Sequence, residues 1–141
     1  MTMTTYPGSC HCGAITIAFT SDKTPEEMRV GRCDCTFCRR HGARTMGDPS
    51  GSVAFRVGPK DLTRYRFALG ITDYLLCAKC GTYVGCVMED EGRTIGVVNV
   101  NSLDIRDTFD PAPPLRHYEG ENEGERRARR RKFWMKAEVI A

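Results

Sequence analysis

Seven of the eight cysteines lie in three short groups whose spacing suits metal binding. Zinc in proteins favours four tetrahedral ligands and readily takes thiolates. Cysteines this close together pair poorly with each other as disulfides, because disulfide geometry constrains both Cβ atoms. The groups therefore predict zinc–thiolate chemistry. They are Cys10 and Cys12, then Cys33, Cys35 and Cys38, then Cys77 and Cys80.

Two of these groups, far apart in the sequence, could hold one zinc ion between them. Cys77 and Cys80 have the spacing of a zinc knuckle, and Gly81 can take the positive φ that such turns often need. Cys10 and Cys12 point to the same side of an extended segment, since strand side chains repeat every two residues. We therefore predict that these four cysteines form a closed structural site.

The remaining group, Cys33-x-Cys35-x2-Cys38, offers only three ligands. Three protein ligands with an open fourth position are the catalytic pattern of zinc, whereas four are the structural pattern. An open position can take water or a substrate thiol, which zinc would present as a thiolate nucleophile. Two alternatives stand beside this prediction. His41 could complete a closed site, or the three cysteines could be reduced thiols without metal.

The charged residues close to these cysteines each have a functional and a structural interpretation. Arg39 and Arg40 could offset the charge of a zinc–thiolate cluster or bind a substrate carboxylate, or they could be solvated. Asp34 lies between two predicted ligands and could relay a proton, or it could be an exposed loop carboxylate. Cys86 lies outside ligand spacing, and we predict that it is a buried strand residue.

Length and composition indicate one ordinary globular domain, since the chain has 141 residues, of which 40% are apolar and 28% charged. No stretch approaches the ~20 apolar residues of a transmembrane helix, so no membrane interaction is expected. The first residues lack the basic and apolar parts of a secretory signal. We therefore expect a cytoplasmic location, where reducing conditions favour metal-binding or catalytic cysteines over disulfides.

The net charge of +3 is unevenly distributed. Residues 126–132 carry six basic side chains and no acidic one, so the rest of the chain is mildly acidic. This distribution argues against a nucleic-acid-binding domain. Four glutamates between positions 119 and 125 precede the basic run, which is compatible with a solvated helix. An anionic partner of the arginines is the alternative.

Short β-rich segments separated by turn residues predict a mainly β fold of six or more strands with little helix. The predicted strands are 15–19, 52–57, 65–69, 73–76, 82–88 and 94–100. A short helical turn is predicted after Cys38, ended by Gly42. We expect residues 1–118 to form a zinc-binding domain and residues 119–141 to form a charged extension that packs on this domain or trails from it.

The combined pattern resembles the glutathione-dependent formaldehyde-activating enzyme family, to which centromere protein V also belongs. The resemblance covers about residues 8–118, including the Pro-rich stretch before His117, which is similar to the family's Pro-x-His segment. Segment 119–132 departs from the family, which usually reaches its terminal tryptophan soon after the histidine. The motifs are Gly8-x-Cys10-x-Cys12-Gly13, Cys33-x-Cys35-x2-Cys38-Arg39-Arg40 and Cys77-x2-Cys80-Gly81.

This resemblance implies a β-tent of short antiparallel sheets with two zinc ions per chain, one structural and one catalytic. It implies that the first and third cysteine groups hold the structural ion, and that Cys33, Cys35 and Cys38 hold the catalytic one. The activity it implies is that of a carbon–sulfur lyase acting on a thiol–aldehyde adduct. The reference adduct is S-hydroxymethylglutathione, so the expected partners are a small-molecule thiol such as glutathione and a small aldehyde.

Two other functional classes stay open on the residues alone. A zinc-stabilised binding or chaperone-like module without catalysis would hold one zinc, or a second zinc closed by His41. It would use the basic segment as a contact surface. A redox- or electrophile-sensing protein would present Cys33, Cys35 and Cys38 as reactive, metal-free thiols.

Overall fold

The structure is a computed structural model that describes residues 2–141, and this part of the chain forms eleven strands and two α-helices. The strands are β1 (Thr4–Ser9), β2 (Ile15–Ser21), β3 (Arg32–Cys33), β4 (Thr45–Met46), β5 (Ser52–Val57), β6 (Leu62–Tyr65), β7 (Asp73–Cys77), β8 (Tyr83–Asp90), β9 (Arg93–Asn99), β10 (Leu115–Arg116) and β11 (Met135–Ile140). The helices are α1 (Thr36–His41) and α2 (Glu123–Phe133), and short 3₁₀ turns cover Pro25–Glu27, Val100–Ser102 and Arg106–Thr108. The predicted mainly β fold is confirmed. No helix within residues 2–141 has the length and apolar character needed to cross a membrane.

Nine strands form one sheet in the order β1-β2-β5-β11-β9-β8-β7-β6, with β4 paired to β9. Neighbouring strands are antiparallel except β5 and β11, which are parallel. Strands β2 and β5 alternate buried and less buried residues, as expected when one face covers a core and the other meets solvent. A second, two-stranded parallel sheet joins β3 to β10.

The core contains large side chains from several strands of the sheet. Phe19 of β2, Phe55 of β5, Leu75 of β7 and Met135 of β11 are all essentially inaccessible to solvent. A second, smaller apolar cluster attaches α1 to β8 and β9. Its buried members are Cys38, Ala43, Tyr83, Cys86 and Val97.

The segment predicted at 65–69 as a strand is displaced in the structure. Strand β6 ends at Tyr65, and residues 66–72 form a loop that we call the 66–72 loop. Ala68 and Gly70 have positive φ angles of 54° and 71°. These angles are incompatible with an extended strand.

The C-terminal segment contributes an inner strand of the large sheet. Strand β11 lies between β5 and β9, with Met135 and Ala137 buried and Lys136 and Glu138 exposed. The sequence analysis did not predict this strand, because two buried positions between charged residues make a short and weak alternation. The domain boundary after residue 118 stays a prediction. Strand β11, which lies beyond this boundary, is hydrogen-bonded to β5 and β9 within the large sheet.

Helix α2 is fixed to the β8–β9 hairpin by one carboxylate. Asp90, which is 4% exposed, accepts hydrogen bonds from Arg127 Nη1 at 3.0 Å and from Arg131 Nε at 2.6 Å. The bonds from Arg131 and then Arg127 hold the pKa of Asp90 below its usual range. At the other end, Asn122 and Glu125 form a capping box that starts the helix.

Replacing Asp90 with asparagine should lower the free energy of unfolding by about 1–3 kcal/mol at neutral pH, because two arginines lose a charged acceptor. The folded-state pKa of Asp90 is depressed, so its contribution is present above the unfolded-state pKa and disappears as the pH falls through the folded-state value. The difference between the proteins should therefore shrink below about pH 4. Urea titrations across this range measure it.

Glu123→Gln is the matched control, because Glu123 also accepts from Arg127 but is largely exposed. It should change the stability by less than about 0.5 kcal/mol, as expected for a surface ion pair. An equal loss of stability in the two variants would contradict a special role of Asp90.

Candidate metal centres

The first group of sulfur atoms, which we call the four-cysteine cluster, joins two distant turns. Cys10 and Cys12 lie in the turn between β1 and β2, while Cys77 ends β7 and Cys80 lies in the turn that follows it. All four Sγ atoms lie within 4.8 Å of one another. Cys12 Sγ is 3.7 Å from Cys10 Sγ and 3.6 Å from Cys77 Sγ. A tetrahedron with Zn–S bonds of 2.3 Å has sulfurs about 3.8 Å apart, so the spacing fits zinc.

Backbone amides orient the sulfurs of the four-cysteine cluster. The amide of Ile15 donates to Cys10 Sγ at 3.2 Å, and the amides of Lys79 and Cys80 donate to Cys77 Sγ at 3.4 Å. Gly81 has a φ of 80° and closes the turn through its amide, which donates to the Cys77 carbonyl. Amide hydrogen bonds favour the thiolate form, which is the form that binds metal.

The thiols of this cluster differ in proton affinity. Burial raises the pKa of Cys80, but hydrogen bonds with the side chain and amide of Thr82 outweigh burial and lower it to about 5. The amide of Ala14 lowers the pKa of Cys12, whereas burial and the neighbouring sulfurs raise it to about 11. A cation bound here must therefore displace protons from some of the thiols, which makes metal binding depend on pH.

The second group, which we call the three-cysteine cluster, consists of Cys33, Cys35 and Cys38, and its Sγ atoms also lie within 4.8 Å of one another. Cys33 ends β3, and Cys35 is the N-cap of α1 and accepts a hydrogen bond from the Cys38 amide at 3.3 Å. Gly42 ends this short helix with a φ of 59°, as the sequence predicted. The helix therefore folds the three sulfurs towards one point.

Hydrogen bonds among the three sulfurs separate their proton affinities. Hydrogen bonds from the thiols of Cys33 and Cys38 lower the pKa of Cys35 to about 2. The same contacts, with Cys33 and then Cys35, raise the pKa of Cys38. Three sulfurs this close together are a donor set that suits zinc, which takes sulfur ligands readily.

His41 is not a member of the three-cysteine cluster. Its ring packs against Phe37 at a centroid distance of 4.5 Å and against Tyr83 at 5.6 Å. Within residues 2–141, the three cysteines are the only side chains at this position whose ligand atoms lie within 4.8 Å of one another. This geometry does not support the alternative in which His41 closes the site.

Asp34 has a partner that the sequence did not indicate. Its carboxylate is hydrogen-bonded to Nδ1 of His117, and its side chain is only 15% exposed. The parallel pairing of β3 with β10 places Cys33 opposite Arg116, and it therefore brings the next residues, Asp34 and His117, together. The two residues are 83 positions apart, so no local pattern could have revealed the pair.

A cavity of about 350 Å³ lies beside the three-cysteine cluster, and we call it the α2 cavity. Cys33 and Cys35 line one part of it, and the 66–72 loop supplies an apolar wall. The wall from the C-terminal segment consists of Tyr118, Glu119, Arg126, Arg129 and Arg130. Helix α2 is therefore not solvated on all sides.

A second cavity, of about 340 Å³, lies on the other side of Cys33. It shares Cys33, Tyr118 and Arg129 with the α2 cavity. The guanidinium of Arg129 stacks over the Tyr118 ring at 3.5 Å, so this pair stands between the two spaces. The basic residues that line the second cavity are Arg29, Arg32, Arg116, His117 and Arg129.

Aromatic rings form the surroundings of α1. Phe37 contacts Tyr65, Phe67, Tyr74 and Tyr83 at centroid distances between 4.8 and 5.7 Å. Phe37 and Tyr74 pack against the smaller apolar cluster that contains Cys38.

Cys86 lies outside both cysteine clusters. It is buried in β8, as the sequence predicted. Burial raises the pKa of Cys86 to about 11, so it is a thiol at neutral pH.

Comparison with known proteins agrees with this arrangement. A family model described as glutathione-dependent formaldehyde-activating enzyme matches residues 5–119, which include both cysteine clusters and end before α2. The crystal structure of a Rhodobacter sphaeroides protein is similar, with 30% sequence identity and a TM-score of 0.58. The match covers 78% of this chain and 99% of that chain. The chain therefore belongs to the glutathione-dependent formaldehyde-activating enzyme family.

Proposed function

We propose that the protein is a zinc-dependent carbon–sulfur lyase that acts on a thiol–aldehyde adduct such as S-hydroxymethylglutathione, with two zinc ions per chain. The observation that carries this proposal is the three-cysteine cluster. It offers three converging sulfurs rather than four, and it borders a cavity large enough for a small molecule. Family membership supports glutathione and formaldehyde as the thiol and the aldehyde.

The four-cysteine cluster is assigned a structural role. Its four sulfurs complete a tetrahedral set, and its cysteines line neither of the two cavities beside the three-cysteine cluster. It also joins the start of the sheet to the β7–β8 turn. Binding of metal at such a site contributes directly to the folding free energy.

The reaction breaks or forms one C–S bond and transfers one proton. Zinc held by Cys33, Cys35 and Cys38 would lower the pKa of a thiol at its fourth position and so favour the thiolate. In cleavage, the C–S bond of the adduct breaks and its electron pair goes to sulfur. The hydroxyl proton leaves as the aldehyde carbonyl forms, and addition reverses both changes.

We assign the proton transfer to His117. Asp34 holds Nδ1 of the imidazole, which leaves Nε2 free to exchange a proton. His117 lines the second cavity together with Cys33, and its partner Asp34 lines the α2 cavity. It would take the hydroxyl proton in cleavage and return it in addition.

Metal content tests the two-site proposal. The wild type should bind two zinc ions per chain, and Cys35→Ser should bind about one while it keeps its fold, because only the three-cysteine cluster loses a ligand. Cys77→Ser should instead unfold the domain, since it removes a ligand of the structural site. Metal analysis with thermal melts measures both outcomes.

Cys86→Ser serves as the control for these cysteine replacements, because Cys86 lies outside both clusters. It should keep two zinc ions. Global unfolding of Cys35→Ser, with Cys86→Ser folded, would contradict the catalytic assignment of the three-cysteine cluster.

His117→Gln should slow the exchange between adduct and free aldehyde by about 10²- to 10⁴-fold, the usual contribution of general acid–base catalysis. The zinc content should stay at two, because His117 is not a ligand. Asp34→Asn should cause a smaller loss, since it alters only the orientation of the imidazole. Exchange NMR with glutathione and formaldehyde, corrected for the reaction without enzyme, measures these rates.

His41→Gln is the control for the histidine replacement and should retain both zinc ions and the exchange rate. A wild-type rate in His117→Gln would show that the proton moves by another route. A wild type that binds two zinc ions but does not accelerate exchange of any thiol adduct would favour the binding-module class over the lyase.

A further inference from the structure

Arg130 is an arginine that is buried inside the protein. Only 5% of the residue is exposed, although it belongs to a helix with a strongly charged sequence. Its Nη1 donates to Thr72 Oγ1 at 2.5 Å and lies 3.3 Å from Met88 Sδ, and its guanidinium carbon is 4.2 Å from the centre of the Trp134 ring. These contacts fix the side chain, but none of them supplies a negative charge.

The charge of Arg130 has no acidic partner among the described residues. The ion pairs of α2 within residues 2–141 involve its other arginines, and Nε of Arg130 lacks a hydrogen-bond partner in the same range. Burial lowers the pKa of Arg130, but an arginine stays charged at neutral pH. A buried charge is unfavourable unless it is paired, so this position calls for an anion.

The neighbouring arginines of α2 already have acidic partners. Arg126 Nε and Arg129 Nε lie 3.2 and 2.7 Å from the carboxylate of Glu121, although both residues line the α2 cavity. The other two arginines of the helix bond to the carboxylate at the end of β8. Among the described arginines of α2, Arg130 is therefore the one without an acidic partner, and it lines the α2 cavity.

The α2 cavity connects this arginine to the proposed reaction site. Arg130, Cys33 and Cys35 line the same space of about 350 Å³. A ligand whose sulfur lies at the three-cysteine cluster can extend through this space towards the guanidinium. Because α2 begins at Glu123, beyond the family match that ends at 119, family membership does not assign this contact.

We propose that Arg130 binds a carboxylate of the thiol substrate, and that the α2 cavity therefore selects thiol adducts that carry an acidic group. This inference rests on the proposed lyase function. Guanidinium and carboxylate form a charge-assisted, directional pair. Arg130 would then position the substrate without taking part in bond breaking.

Two thiols that differ only in the acidic group test the selectivity. With the zinc-loaded full chain, the kcat/KM for formaldehyde adducts of 3-mercaptopropionate should exceed that for adducts of 3-mercapto-1-propanol by about 10- to 100-fold, the value of a hydrogen bond to a charged group. Arg130→Gln should remove this preference and leave the rate with the alcohol thiol nearly unchanged. Lys132→Gln, which removes an exposed charge of α2, should keep the preference.

Arg130→Lys covers the case in which Arg130→Gln does not fold. The ammonium keeps the charge but lacks the planar fork, so the preference for the acidic thiol should fall below that of the wild type. The proposal is overturned if the folded variant, Gln or Lys, keeps the full preference. It is also overturned if Arg130→Gln weakens zinc binding by the three-cysteine cluster and leaves the preference for the acidic thiol intact. Arg130 would then serve to balance the negative charge of the zinc–thiolate cluster.

A probe without a thiol separates this inference from the lyase proposal. Propionate should raise the melting temperature of the zinc-loaded wild type by more than that of the folded Arg130 variant, while 1-propanol should affect neither. If propionate has this effect and no adduct is turned over, the carboxylate site stands and the lyase proposal fails. If adducts are turned over without preference and propionate has no effect, the lyase stands and the carboxylate site fails.

Discussion

Both candidate metal centres depend on the close approach of several sulfur atoms. Three or four cysteine side chains converge within 4.8 Å in each cluster, where thiolates repel one another unless protons or a cation lie between them. The chain meets this constraint with backbone amides that donate to sulfur and with short turns that leave little freedom. In the four-cysteine cluster the sulfurs come from two distant parts of the chain, so an ion bound there would link them. In the three-cysteine cluster they come from β3 and the start of α1, which are close in sequence.

The small parallel sheet of β3 and β10 links the second cluster to the proposed proton carrier. It consists of two residue pairs only, yet it sets the position of Cys33 and brings Asp34 to His117. The amide of Asp34 also donates to the carbonyl of Arg116 at 3.1 Å, which reinforces the same register. A shift of this pairing by one residue would separate the carboxylate from the imidazole, because neighbouring strand side chains point to opposite faces.

The local parts of this arrangement were readable from the sequence, while the distant contacts were not. Cysteine spacing and the glycines after Cys80 and His41 predicted the turns, because those signals lie within a few residues of one another. The Asp34–His117 pair and the inner position of β11 depend on strand pairing across the chain. The arginine run was ambiguous for a different reason: a charged helix gives no sign of which residue faces inwards until its acidic partners are known.

Those partners determine what α2 can contribute to the site. Glu121 and Asp90 between them form ion pairs with four of the five arginines of the helix. This pairing attaches the helix to the hairpin at one side and shapes the cavity wall at the other. The remaining arginine is then held in a buried place by a hydroxyl, a thioether and an indole ring, none of which is charged. An unpaired buried charge does not stabilise a protein. We therefore interpret the buried guanidinium of Arg130 as a preorganised binding site for an anionic group of the substrate.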